Sequence, residues 1–149
     1  MVRIMTDNAA NLPKALLEQY GIGELCLTYT VDGVPADLSA EFDGRAFYEA
    51  MRRGAVVQTS RVTPEAARQG MEPHLANGDD VLFVGLSGGV SGTCWGVGLV
   101  AGELAEQYPE RKIHVLDSRG ASLGEGLIAL EAAKLAAEGR LIEELIVRC

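Results

Sequence analysis

From Val81 to Gly102 the chain carries no charged side chain. The run holds seven glycines, with the polar cluster Ser87-Gly88-Gly89-Val90-Ser91-Gly92-Thr93 at its centre. It is long enough to cross a bilayer. A lipid-exposed turn at that centre would leave backbone groups unpaired, which hydrocarbon does not tolerate. The run therefore reads as a buried strand, a tight turn and a helix, and no stable membrane insertion is expected. Val81 to Val84 is apolar at every position, the pattern of a strand covered on both faces of a parallel sheet. Ser91-Gly92-Thr93 opens a long helix to about Gln107.

Similar units flank this run. Val2 to Met5 reads as a strand ending in Thr6-Asp7-Asn8. Leu12 to Tyr20 reads as a helix, with Asn11 as cap, Pro13 in its first turn and Gly21 as stop. Leu25 to Val31 is strand-like and runs into the turn pair Asp32-Gly33. Asp43 caps a helix through Arg53, ended by Gly54. Ala55 to Gln58 is extended, and Thr63-Pro64 starts a helix toward Asn77-Gly78 that Pro73 should kink or end early. Lys112 to Leu116 is a strand, Ala121 to Glu138 a helix stopped by Gly139, and Leu141 to Val147 the start of another. Alternating strands and helices predict an α/β fold with a mainly parallel sheet and crossover helices, in one unit over residues 1–149. The helix-like pattern still running at Cys149 suggests a truncated fold.

Charge narrows the partners. The net charge is −8 with a sequence pI near 4.7, and no Lys/Arg cluster stands out, so no nucleic-acid partner is expected. An anionic ligand would need local dipoles and hydrogen bonds to hold it. Three widely spaced cysteines, two histidines and no Cys-x-x-Cys argue against a zinc site or a disulfide framework. They fit a cytoplasmic setting. No cofactor and no metal site are expected.

Short polar residues collect where strands end. They are Thr6, Asp7 and Asn8, Thr59 and Ser60, Ser87, Ser91 and Thr93, and Asp117 with Ser118. If the sheet is parallel these ends share one rim, where hydroxyls and a helix N-terminus can converge on a carboxylate or phosphate. Taken singly, each residue is better explained by capping and turn chemistry, whereas the whole set at strand ends points to a site. Gly85-Leu86-Ser87-Gly88-Gly89 also matches the nucleophile elbow of serine hydrolases. The triad order then needs a later acid and a still later histidine, but His114 precedes Asp117. His74 lies upstream on a helix and reads as solvated. Asp7, Asp117 and Glu125 form at most an unspecific magnesium set. No P-loop and no dinucleotide fingerprint is present.

In order and spacing, several segments resemble the DegV family of fatty-acid-binding proteins. Thr6-Asp7-Asn8 resembles its opening Thr-Asp-Ser, followed by Leu12-Pro13. Val31-Asp32-Gly33 resembles its Asp-Gly turn, and Phe47-Tyr48-Glu49-Ala50-Met51 its Phe-Tyr…Met helix. Thr59-Ser60-Arg61-Val62-Thr63-Pro64 is similar to its Thr-Ser-Gln-Pro-Ser-Pro motif, with Arg61 in place of Gln. Ser91-Gly92-Thr93 matches its Ser-Gly-Thr. Asp117-Ser118 with Ala121 to Gly126 matches its Asp-Ser…Ser-x-Gly-x-Gly segment.

The resemblance implies the amino-terminal of two α/β lobes, truncated before the second, to which residues 121–149 begin the link, with a long-chain fatty acid such as palmitate between the two lobes. It implies Thr59 and Ser91 as carboxylate ligands, assisted by backbone N–H groups near Gly92 and Thr93. Asp7, Ser60, Ser87, Asp117 and Ser118 are further rim candidates. It also implies a carrier rather than an enzyme, presenting its ligand to a fatty acid kinase that supplies nucleotide and catalysis. Two departures stand out: Gly88 sits where the family often has a second serine, and Cys94-Trp95 replaces Tyr and a polar residue. Three alternatives are carried forward. One is a serine-dependent hydrolase or phosphate-binding enzyme, the second a non-functional remnant, and the third a homodimer that closes the site with a second copy.

Overall fold

The computed structural model describes residues 1–38 and 42–149. Four strands, β1 (Val2–Asp7), β2 (Gly23–Leu25), β6 (Asp80–Gly85) and β7 (Ile113–Asp117), form a parallel sheet in the order β2-β1-β6-β7. A smaller antiparallel sheet joins β4 (Val34–Pro35), β3 (Tyr29–Val31) and β5 (Val57–Thr59). The helices are α1 (Lys14–Tyr20), α2 (Gly44–Arg52), α3 (Pro64–Ala76), α4 (Thr93–Gln107), α5 (Leu123–Ala137) and α6 (Ile142–Arg148). The α/β reading of the sequence is thus the observed architecture. No helix among the described residues is long and apolar enough to cross a membrane.

The central strand explains the layering. In β6, Val81 and Phe83 pack into one core with Met71 and Leu75 of α3 and Val97 and Leu104 of α4. Leu82 and Val84 pack into a second core with Ala129 and Ala132 of α5 and Ile142 and Leu145 of α6. Alternate side chains point to opposite faces of a strand, so a strand apolar throughout must be covered twice. All four residues are fully buried, each worth roughly 2 kcal/mol in apolar burial.

Helix starts follow their caps. The Asp43 carboxylate accepts the Ala46 N–H, and the Thr63 hydroxyl accepts the Ala66 N–H with Pro64 next to it.

Four local expectations are corrected. Leu25 to Val31 is not one strand. β2 ends at Leu25 in the parallel sheet and β3 begins at Tyr29 in the small sheet. The break has a long-range cause: the Asn8 side chain donates to the Leu27 carbonyl and accepts the Leu27 N–H, drawing the chain off the sheet edge. Asn11 does not cap α1. It ends a short 3-10 turn, Asn8–Ala10, in the left-handed region at φ 52°, and Pro13 stands at the α1 N-cap. Pro73 does not end α3 early; the helix continues to Ala76, since a proline's missing N–H and its ring affect the preceding turn while its carbonyl still accepts the Asn77 N–H. Thr59 is the last residue of β5 in the small antiparallel sheet and Ser60 follows it, so they reach the rim from outside the parallel sheet.

Candidate functional site

Between β6 and α4 the chain makes a tight polar loop. The Ser87 carbonyl accepts the N–H groups of Val90 and Ser91, both at 2.9 Å. The Ser87 hydroxyl accepts the Gly89 N–H at 3.2 Å. Both oxygens of Asp117 accept the Gly88 N–H at 3.1 Å, and Asp117 also accepts the Arg119 N–H. Ser118 bonds Gly120, whose carbonyl takes the Ser87 N–H. Ser87, Asp117 and Ser118 therefore spend their polar groups on holding this loop. The same geometry accounts for Gly88: a Cβ there would stand 2.8 Å from an Asp117 oxygen.

The loop delivers Ser91 to an open cleft of about 470 Å3 lined by Thr59, Ser60, Ser91 and Gly92 together with Leu27, Leu86 and Val90. Arg61, singled out in the sequence only as a motif residue, lines it as well. The Thr59 hydroxyl is exposed and has no hydrogen-bond partner among the described residues. The Ser60 hydroxyl is engaged with Thr28. Ser91 Oγ accepts the Thr93 N–H at 3.2 Å and lies 2.9 Å from Thr93 Oγ1. With Thr93 as hydroxyl donor, the Ser91 proton remains for a ligand.

The Gly92 N–H makes no backbone bond among the described residues. At the start of α4 it sits where roughly half a positive charge resides. Thr93 departs from expectation. It is fully buried, it does not line the cleft, and its N–H is taken by Ser91, so it orients Ser91 from behind.

Asp7 is also turned inward. Fully buried, it accepts the Leu86 N–H at 3.0 Å and the Ala9 N–H at 3.0 Å, so it fixes the residue that floors the cleft. Beside it lies Glu125 of α5, also fully buried, with one oxygen accepting the Thr6 hydroxyl at 3.0 Å and the other without a partner. Burial, then the Asp7 charge, pushes Glu125 up to about 8, and burial raises Asp7 too. Glu125 is thus a neutral acid at neutral pH. The approach of α5 that buries it is close: a Cβ on Gly126 would stand 2.9 Å from the Ala10 carbonyl oxygen.

A family model described as "Uncharacterised protein, DegV family" matches residues 1–149. The chain belongs to the DegV family. It is 32% identical over 144 residues to a DegV domain-containing protein of Clostridium perfringens, covering 95% of this chain and 50% of that one. A solved DegV family protein from Thermus thermophilus, described by its fatty acid binding, superposes with a TM-score of 0.88 at 28% identity. That match covers 99% of this chain and 51% of that one. DegV from Bacillus subtilis, described as a fatty acid binding protein, gives 0.83 at 26% identity, covering 99% and 51%. The chain spans about half the length of the DegV relatives it matches, which agrees with a single lobe.

Against the hydrolase alternative, this DegV lobe brings no histidine into a hydrogen bond with Ser87, whose hydroxyl instead accepts Gly89. His114 sits half-buried within β7 and His74 half-buried on α3. The nearby thiol of Cys94 is buried, and burial followed by the charges of Asp117, Asp7 and Glu125 pushes it up to about 12. It remains a thiol, donating to the Leu86 carbonyl. Among the described residues no group of three or more His, Cys, Asp or Glu side chains is placed to hold a metal ion, so Asp7, Asp117 and Glu125 do not form one.

Proposed function

We propose that this lobe holds the carboxylate of a long-chain fatty acid such as palmitate in the Thr59–Ser91 cleft. Thr59 and Ser91 donate their hydroxyl protons, and the Gly92 N–H adds a third bond. One observation carries the reading: two hydroxyls from separate elements, one without a protein partner, meet beside an unbonded N–H at a helix start. An anion can accept all three at once. Leu27, Leu86 and Val90 put apolar surface next to these donors, as an amphiphile requires.

The fatty acid binding described for the Thermus and Bacillus relatives supports the ligand class. On this reading the protein is a carrier in lipid transport or fatty acid metabolism in the cytoplasm, and it presents the carboxylate to a fatty acid kinase that performs the chemistry. In relatives about twice this length, the acyl chain would be enclosed between two lobes. Val90, 74% exposed, and Trp95, 67% exposed, leave apolar surface near the cleft for such closure.

Mass spectrometry of an organic extract of the purified protein tests the ligand class. Stoichiometric fatty acid is the expected result. An extract without fatty acid, combined with no saturable binding of added palmitate, contradicts it.

A further inference from the structure

Arg61 carries an observation that the carboxylate reading does not use. It is the one charged side chain lining the cleft, and it makes no hydrogen bond or ion pair among the described residues. Its stem lies along the first turn of α4. A Cβ on Gly92 would stand 3.2 Å from Arg61 Nη1, and one on Gly96 would stand 4.0 Å from Cδ. Glycines at these two positions, one helical turn apart, leave the track in which the side chain rests.

This resting place is electrostatically odd. A guanidinium beside a helix N-terminus sets a full positive charge against a partial one, which opposes rather than complements the dipole. Arg68, farther along the same α3–α4 groove, is matched by Glu103, whereas Arg61 is matched by nothing. The surrounding protein is strongly acidic, with 21 Asp and Glu against 13 Lys and Arg, so its general field repels anions. A lone cation in the cleft reverses that field locally. An anion there would meet the guanidinium, the Gly92 N–H and the hydroxyls together, and would relieve the charge conflict at the helix start.

We infer that Arg61 is the specificity-determining residue that makes this cleft select an ionised headgroup over a neutral one of the same length. The inference rests on the fatty-acid reading above. The hydroxyls alone can hydrogen-bond an acid, an alcohol or an ester, so they set position but discriminate charge weakly. Arg61 supplies the discrimination. Its neutral replacement, glutamine, keeps a hydrogen-bonding group on a shorter side chain, and it is the residue in the motif that this stretch resembles.

The test compares saturable binding of palmitate and of hexadecanol by the parent chain, Arg61→Gln and Arg61→Lys. The parent should prefer palmitate, and Arg61→Gln should lose roughly tenfold of that preference with hexadecanol binding unchanged. Arg61→Lys should retain most of it. Added salt should weaken palmitate binding in the parent and much less in Arg61→Gln. If both ligands bind and the palmitate-to-hexadecanol ratio is the same in the parent and Arg61→Gln, the role given to Arg61 is overturned while the fatty-acid reading stands. If neither ligand binds the parent, the fatty-acid reading fails and takes this inference with it.

Discussion

Two polar groupings sit within a few residues of each other at the carboxyl edge of the main sheet, and they are built in opposite ways. Thr6, Asp7, Thr93 and Glu125 are fully buried, and they bond backbone groups or one another. Thr59 is exposed, Ser91 is half-buried, and with Gly92 they line an open cleft. Threonine hydroxyls occur in both. What separates them is where the remaining hydrogen-bonding capacity points: inward, where an unmade bond costs stability, or outward, where a ligand can use it. The first group is scaffold, and the second is the site we propose.

The comparison can be broken from the scaffold side first. Asp7→Ala strands the Leu86 and Ala9 N–H groups and should cost roughly 2–4 kcal/mol, visible as a lowered denaturation midpoint. A neutral outcome would mean that Asp7 supports nothing.

Next comes the pH dependence set by Glu125. Its pKa in the fold is raised to about 8 from an ordinary 4.5. Its contribution is therefore fully present below pH 4.5 and is lost as pH rises through about 8. Glu125→Gln, which keeps the neutral form, should flatten that fall and gain stability relative to the parent at alkaline pH, by on the order of a few kcal/mol. Denaturant melts of both proteins across the window check this. A difference between them that stays constant with pH contradicts the neutral-acid assignment.

A smaller effect is expected for Gly88→Ser, whose side chain would press on the Asp117 carboxylate and loosen the loop, costing about 1 kcal/mol. Smallest of all, Thr59→Ala should change stability by less than about 0.5 kcal/mol, because the hydroxyl has no protein partner to lose. A large loss there would place Thr59 with the scaffold.

Much of the fold was legible because its signals are local. The uninterrupted apolar run of β6, the Asp43 and Thr63-Pro64 caps and the stops at Gly21 and Gly139 each declare an element without reference to anything distant. The split of Leu25 to Val31 was not legible, since it depends on Asn8 reaching across to Leu27. The site divided along the same line. Thr59, Ser60, Ser91 and Gly92 were picked out by position and motif, and they meet at one cleft. Thr93 and Asp7 carry the same chemistry, but only packing reveals that they face inward. Glu125 lies in a helical stretch where a carboxylate usually meets water, and its burial comes from the packing of α5 against β1, where it accepts the Thr6 hydroxyl. Arg61 stood out in the sequence only as a motif residue, and its place along α4 came from the fold.

The most direct test of the central claim is a palmitate titration of the parent chain and of the Thr59→Ala, Ser91→Ala double variant, with thermal melts run in parallel. The account predicts an affinity loss of roughly tenfold or more, from two lost hydrogen bonds to a charged ligand, beside a stability loss of roughly 1–3 kcal/mol that comes from Ser91→Ala, which strands the buried Thr93 N–H, and leaves both proteins folded at the titration temperature. Equal palmitate affinity in two equally folded proteins would contradict it.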